Sequence, residues 1–152
     1  MSPVNYNSPG QVVIAGHVEA VARASQACKE AGAKRALELA VSVPSHCALM
    51  KPAAEKLAQD LEAISFNEPK YAVINNVDVV ISKDAAAIKD ALVRQLYSPV
   101  RWTETVQAVA KEGITTSFEF GPGKVISGLV KRIDRSVSCS SVNDLAAIAA
   151  AE

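Results

Sequence analysis

Hydrophobic and polar residues alternate along this chain with two different periods, which separate its helical segments from its extended ones. Six segments repeat every three or four positions and are predicted as helices: 17–31, 49–64, 84–96, 103–112, 125–133 and an alanine-rich segment that Asn143 would cap. Five apolar or alternating runs are predicted as strands: 11–15, 35–43, 71–74, 117–120 and 136–140. Because helices and strands alternate throughout, we expect an α/β fold with helices packed over a sheet.

The first 43 residues are predicted to form a turn followed by one β-α-β unit. Asn, Ser, Pro and Gly dominate residues 5–10, which is typical of a turn. After the first strand and helix, Gly32 stands where a glycine commonly ends a helix. In 35–43 leucine and valine then occupy every second position, which is typical of a strand with one buried face.

His46 follows the strand predicted for 35–43, after Pro44 has ended it. This position corresponds to the carboxyl end of a strand, where ligands and reacting groups collect in open α/β sheets. An imidazole is also the side chain best suited to move protons near neutral pH. His46 is therefore a candidate general base, although a loop histidine held only by its own hydrogen bonds would fit the same pattern.

A catalytic histidine usually activates a serine or cysteine, and no convincing nucleophile accompanies His46 in this sequence. The strand-turn-helix motif Gly-x-Ser-x-Gly is absent, and Ser127-Gly128 lacks the first glycine. Ser45 and Cys47 flank His46, but adjacent side chains of a strand or a helix point apart. Cys47 is more simply explained as a small buried thiol. The sequence thus predicts a base without its nucleophile.

The composition narrows the function classes. Of the 152 residues, 49% are hydrophobic and 21% are charged, and the formal net charge is zero, which argues against nucleic-acid binding. No apolar run approaches the ~20 residues of a membrane span, and the first residues show no signal-peptide pattern. Three widely spaced cysteines favour reduced thiols in the cytoplasm, and two histidines are too few for a metal site. We expect no metal ion and no cofactor.

Five motifs stand in a fixed order and spacing along the chain. They are Asn5-Tyr6-Asn7-Ser8-Pro9-Gly10-Gln11-Val12-Val13-Ile14-Ala15-Gly16, Val43-Pro44-Ser45-His46-Cys47, Asn75-Asn76-Val77-Asp78, Arg94-Gln95-Leu96-Tyr97-Ser98-Pro99-Val100-Arg101-Trp102 and Gly121-Pro122-Gly123-Lys124. Together they resemble the C-terminal half of bacterial malonyl-CoA:acyl-carrier-protein transacylases. The resemblance implies that residues 1–43 close a ferredoxin-like small subdomain and that residues 44–152 complete an α/β-hydrolase-like large subdomain.

The resemblance also implies an acyltransferase of fatty-acid synthesis, which moves malonyl from malonyl-CoA to the pantetheine thiol of acyl carrier protein. In the family a serine of a Gly-His-Ser-Leu-Gly motif carries the group as an ester. That motif, the malonate-binding arginine and the oxyanion-hole glutamine belong to the family's N-terminal half. What the resemblance assigns to this chain is His46 as the base, the backbone carbonyl of Gln95 as the group that orients it, and Asn5 as a pocket residue.

Two hypotheses remain open at this point. The chain is either a portion of the transacylase or a non-catalytic interaction module on the same scaffold. In isolation it is expected to be inactive. Uncovered strand edges and apolar helix faces are expected to make it self-associate or require the N-terminal half as a partner.

Two further features have competing explanations. Basic residues cluster on and just after one helix: Lys124, Lys131, Arg132 and Arg135. They could dock the acidic acyl carrier protein, and a solvated helix face explains them equally well. The segment Gly121-Pro122-Gly123-Lys124 precedes the same helix and could hold an anion, but a tight strand-to-helix turn is the better interpretation.

Overall fold

The structure describes residues 1–149 of the chain, which contain six helices and four strands. In the computed structural model their order is β1 (Ser2–Ser8), β2 (Gln11–Ala15), α1 (Val18–Glu30), α2 (Lys51–Glu62), α3 (Ala85–Gln95), α4 (Trp102–Lys111), β3 (Thr116–Phe120), α5 (Val125–Ile133), β4 (Ser138–Val142) and α6 (Leu145–Ala149). A single turn of 3₁₀ helix, Ala48–Met50, precedes α2.

The strands β1 and β2 form an antiparallel hairpin that begins with Ser2 opposite Ala15. Gly10 has φ +77° and supplies the left-handed residue of the connecting turn. The prediction of a turn over residues 5–8 is wrong. Asn and Ser are poor strand formers. Here, however, β2 pairs with one edge of β1 and Val100 forms a parallel bridge with it, so backbone hydrogen bonds determine the conformation.

Residues 35–43 do not form the predicted strand and follow α1 as an irregular segment. The side chains of Leu37 and Val41 are 75% and 68% exposed. A half-buried strand needs a neighbouring strand and a core that covers its apolar face. None of the strands described in residues 1–149 pairs with this segment. The β-α-β unit predicted for 11–43 is therefore reduced to β2 and α1.

The core lies between α4, α5 and the second sheet. In that sheet β3 and β4 are parallel, with Thr116 opposite Ser138, and α5 connects them. The strand β4 begins two residues later than predicted. Val106 of α4, Val130 of α5 and Val137 are almost fully buried and contact one another. Five partly buried residues pack around them: Trp102, Ala110, Ile126, Ile133 and Cys139.

The helices α2 and α3 pack against each other and bury small and aliphatic side chains. Ala54 and Leu61 of α2 and Ala91 of α3 are all buried. Asp84 precedes α3, and its carboxylate accepts the backbone N–H groups two and three residues later. This is the cap that the sequence predicts, because the first turn of a helix leaves N–H groups without partners.

Other predictions are corrected or stay open. The strand predicted for 71–74 is reduced to one antiparallel bridge, between Ile74 and Ile81. The N-terminal cap of α6 is Asp144, where the sequence predicted Asn143. Any continuation of α6 beyond residue 149 lies outside the described residues. None of the helices in residues 1–149 combines the length and apolar character that a membrane crossing requires. The division between 1–43 and 44–152 stays a prediction.

Candidate active site

The backbone of His46 is fixed at the C-terminal end of α3. Its N–H donates to the carbonyl of Leu96 at 2.9 Å. The residue has φ 62°, in the left-handed region that residues other than glycine rarely adopt. Its side chain is half-buried. The chain therefore holds this residue in an unfavourable conformation while one of the last carbonyls of α3 accepts its N–H.

The imidazole of His46 contacts the neighbouring carbonyl of the same helix end. Nδ1 lies 2.7 Å from the backbone oxygen of Gln95. A carbonyl only accepts hydrogen bonds, so the proton of the neutral ring stands on Nδ1 and leaves Nε2 as an acceptor. The ring is thus arranged to take up a proton at Nε2.

Asn5 pairs with the chain segment that follows Gln95. It lies half-buried in β1 and forms a parallel bridge with Val100, whose carbonyl accepts the N–H of Tyr6 at 2.9 Å. Val100 follows Gln95 by five residues, a span of at most about 18 Å. The structure therefore brings His46 and Gln95 into direct contact and connects Asn5 to the chain just beyond them.

The residues next to His46 have structural partners of their own. The thiol of Cys47 is buried, and its Sγ donates to the carbonyl of Pro44 at 3.1 Å. The N–H of Ser45 donates to the carbonyl of Val43 at 2.9 Å. Cys47 thus has the surroundings of a small buried thiol, which was the simpler interpretation of the sequence.

Sequence reasoning missed a loop that packs beside this site. In residues 74–81 the side-chain oxygen of Asn75 accepts the backbone N–H groups of Val77 and Asp78. The guanidinium of Arg94 donates to both carboxylate oxygens of Asp78, at 2.9 and 2.6 Å. These hydrogen bonds hold the pKa of Asp78 below its usual value. Nothing in the sequence paired Asp78 with Arg94, a residue sixteen positions away.

The turn before α5 is closed by a carboxylate. Glu119 of β3 accepts the backbone N–H groups of Ile126 and Ser127 at 2.9 and 2.8 Å. The hydrogen bond from Ser127 is the main reason that the pKa of Glu119 is lowered. Since these N–H groups already have an acceptor, the tight turn explains Gly121-Pro122-Gly123-Lys124 better than an anion site does.

The basic cluster lies on the surface near the β1–β2 turn. Lys131, Arg132 and Arg135 are exposed and border a surface depression together with Pro9. Arg132 donates to the side-chain oxygen of Gln11 at 3.0 Å. These three positive charges therefore border one depression, whereas Lys124, which is exposed before α5, does not line it.

Comparison with known proteins assigns the chain to a family. The sequence model of the family described as the acyl transferase domain matches residues 1–147. The chain belongs to the acyl transferase domain family. Among curated relatives, the malonyl CoA-acyl carrier protein transacylases of Salmonella typhimurium and Bacillus subtilis are 63% and 49% identical over 151 and 140 residues. These alignments cover 99% and 92% of this chain, but 49% and 44% of the relatives.

Solved structures agree with this assignment. An acyl carrier protein S-malonyltransferase from Vibrio cholerae superimposes with a TM-score of 0.96 at 61% identity, over 99% of this acyl transferase chain and 49% of that one. A malonyl-transacylase in complex with its type II PKS acyl-carrier protein gives a TM-score of 0.97 at 63% identity, over 99% and 48%. The predicted family resemblance and the α/β class are confirmed. The chain spans about half the length of the relatives it matches.

Proposed function

We propose that this chain supplies the general base of a transacylase that moves a malonyl group from coenzyme A to acyl carrier protein. The observation that carries the proposal is the contact between Nδ1 of His46 and the carbonyl of Gln95 at 2.7 Å, which leaves Nε2 free to accept a proton. The substrates follow from the names of relatives that are 62–63% identical to the chain.

The proposed reaction has two matched halves. A serine from the remainder of the domain attacks the thioester carbonyl of malonyl-CoA while Nε2 of His46 accepts the hydroxyl proton. The tetrahedral intermediate expels the coenzyme A thiolate, which takes that proton from the imidazolium. The pantetheine thiol of acyl carrier protein then gives its proton to His46 and attacks the serine ester, and the serine oxygen leaves with the proton.

Gln95 performs the task that a carboxylate has in many triads. Its carbonyl keeps the ring in one tautomer and stabilises the imidazolium without introducing a second ionisable group. We also propose Asn5 as a substrate-pocket residue, as the family resemblance implies; its bridge with Val100 connects β1 to the chain that follows Gln95. The three free cysteines, Cys28, Cys47 and Cys139, are consistent with a reducing cytoplasmic environment, where we place the reaction.

The basic cluster is the face that we propose for acyl carrier protein. Lys131, Arg132 and Arg135 present several positive charges on one exposed surface, whereas the chain as a whole is neutral. Complementary charge increases the rate of encounter with an acidic partner and sets its orientation. A purely solvated helix face would carry the same residues without any effect on carrier-protein kinetics.

A joined domain tests the main proposal. It consists of this chain fused to the half of the Salmonella typhimurium relative that the chain does not cover. We expect it to transfer malonyl to pantetheine-bearing acyl carrier protein, and the isolated chain to be inactive. His46→Asn should lower kcat by about 10²–10⁴-fold. An equally active His46→Asn variant would reject the base assignment and favour a non-catalytic interaction module.

A further inference from the structure

The orientation of His46 depends on where the last turn of α3 stands. Both acceptors of this residue, the carbonyls of Gln95 and Leu96, belong to that turn. The left-handed backbone at His46 allows the N–H and the ring to reach two consecutive carbonyls. A small displacement or rotation of the helix end would therefore change the direction of the ring and of Nε2.

Arg94 attaches this turn to the loop 74–81. Its Nη1 and Nη2 donate to the two carboxylate oxygens of Asp78, and its Nε donates to Asp90 at 2.6 Å. All three guanidinium nitrogens are thus engaged. A single exposed ion pair contributes little, but a two-point pair within a network defines a geometry. Arg94 immediately precedes Gln95, so the pair acts on the residue whose carbonyl orients His46.

The loop itself is rigid enough to serve as an anchor. Asn75 accepts two N–H groups with its side-chain oxygen and donates through Nδ2 to the carbonyl of Val80. Val79 has φ 59°, a conformation that a β-branched residue adopts only where its surroundings enforce it. Arg101 binds the other side of the loop, since its N–H and Nη1 donate to the carbonyls of Asn76 and Val77.

We propose that Arg94 is a positioning residue of the transacylase, and the inference rests on the function proposed above. Through Asp78 it ties the end of α3 to the braced loop and so keeps the Gln95 carbonyl under Nδ1 of His46. Arg94 does not touch the reacting groups. Its loss should reduce the fraction of molecules with a correctly directed imidazole while leaving substrate binding largely intact.

Nuclear magnetic resonance tests this without requiring catalysis, on the isotope-labelled chain assembled with the unlabelled half of the Salmonella typhimurium relative that the chain does not cover. The chain has two histidines, so His17→Gln leaves His46 as the only imidazole signal. In that background we expect a slowly exchanging Nδ1–H proton and nitrogen shifts of the Nδ1-protonated tautomer. Arg94→Gln and Asp78→Asn should each give faster exchange and mixed tautomers, and Arg94→Lys should be intermediate. If Arg94→Gln fails to fold, the isosteric variant Asp78→Asn tests the positioning role through the same His46 signals.

Glu30→Gln is the control. It neutralises an exposed carboxylate of α1 that accepts a hydrogen bond from Gln26 and that lies outside both α3 and the loop 74–81. The control should keep the His46 signals unchanged. If Arg94→Gln and Asp78→Asn leave those signals identical to the control, the positioning role is excluded.

The joined domain provides the kinetic readout. We expect Arg94→Gln to lower kcat by about 10–100-fold, because misplacement of a catalytic group by about 1 Å has effects of this size. The KM for malonyl-CoA should stay within about twofold, and the control Glu30→Gln should change neither constant by more than that. A raised KM with unchanged kcat would overturn the proposal. An inactive joined domain would count against the proposed function only, since the magnetic resonance result stands by itself.

Discussion

The carboxylate of Glu119 accepts the backbone N–H of Ser127 at 2.8 Å and thereby joins the strand β3 to the first turn of α5. A second oxygen of the same carboxylate accepts the N–H of Ile126. One side chain thus satisfies two of the N–H groups that a helix start leaves without partners. Its negative charge also lies at the positive end of the helix dipole.

The stability of the chain should therefore depend on the charge of Glu119. Hydrogen bonds from the α5 backbone lower the pKa of Glu119, so the folded state binds its proton less tightly than the unfolded state. This contribution is complete above the ordinary glutamate pKa of about 4.3 and disappears as the pH falls through the lowered value. In urea unfolding, Glu119→Gln should be less stable than wild type at pH 7, and the difference should shrink at pH 3.

Several other carboxylates also titrate over this range, so the comparison needs a matched variant. Glu112→Gln alters an exposed glutamate at the end of α4 and should change stability little at either pH. A difference between wild type and Glu119→Gln that is the same at pH 7 and pH 3 would contradict the capping role of the charge.

The left-handed backbone of His46 predicts how substitutions at this position affect folding. Asn adopts φ near +60° more readily than most residues, whereas a β-branched side chain is strongly disfavoured there. Both His46→Asn and His46→Val lose the hydrogen bond to the Gln95 carbonyl, which should cost about 1 kcal/mol. We expect His46→Val to lower the free energy of unfolding by about 1–2 kcal/mol more than His46→Asn does. The two variants serve as controls for each other in denaturant unfolding, and equal midpoints would show that the left-handed conformation is not maintained.

The exposed segment 35–43 should make the isolated chain self-associate. Leu37, Leu39, Val41 and Val43 all expose more than half of their surface, which is unfavourable in water. Leu39→Lys with Val41→Lys should shift sedimentation velocity profiles toward the monomer. Ala40→Lys with Ser42→Lys adds the same charge at the alternate positions and should have a smaller effect. A wild-type chain that sediments as a monomer at every concentration would contradict this expectation.

Charge reversal in the basic cluster should change the kinetics with acyl carrier protein and leave those with malonyl-CoA unaltered. In the joined domain we expect Lys131→Glu with Arg132→Glu to raise the KM for acyl carrier protein roughly tenfold at low ionic strength. The KM for malonyl-CoA should not change, and high salt should diminish the effect. Lys56→Glu with Lys111→Glu is the charge-matched control at exposed positions on α2 and α4. An unchanged KM for the carrier protein would remove this face from the docking surface.

Much of the fold could be predicted because local signals determine it. The helices α1, α2, α3 and α5 lie close to their predicted positions, since apolar periodicity, Gly32 after α1 and Asp84 before α3 act within a few residues. His46 and Gln95 are 49 positions apart in the sequence, so the periodicity of apolar residues could not predict their contact. Only the resemblance to a family supplied that expectation.

The predictions that were wrong concern non-local partners. The strand β1 forms from a segment rich in Asn and Ser because β2 and Val100 pair with it. The composition of β1 gives no indication of either partner. The segment 35–43 has the alternation of a strand but no partner among the described strands. Likewise, the Arg94–Asp78 pair depends on how a loop folds back over α3.

Intact mass spectrometry tests most directly whether this chain provides the base and the other half provides the nucleophile. The chain and the uncovered half of the Salmonella typhimurium relative would be mixed as separate polypeptides and incubated with malonyl-CoA. We expect one malonyl adduct on the complementary half, none on this chain, and strongly reduced labelling with His46→Asn. A stoichiometric adduct on this chain would contradict the proposed division of roles, with Ser45 and Cys47 as the first residues to test.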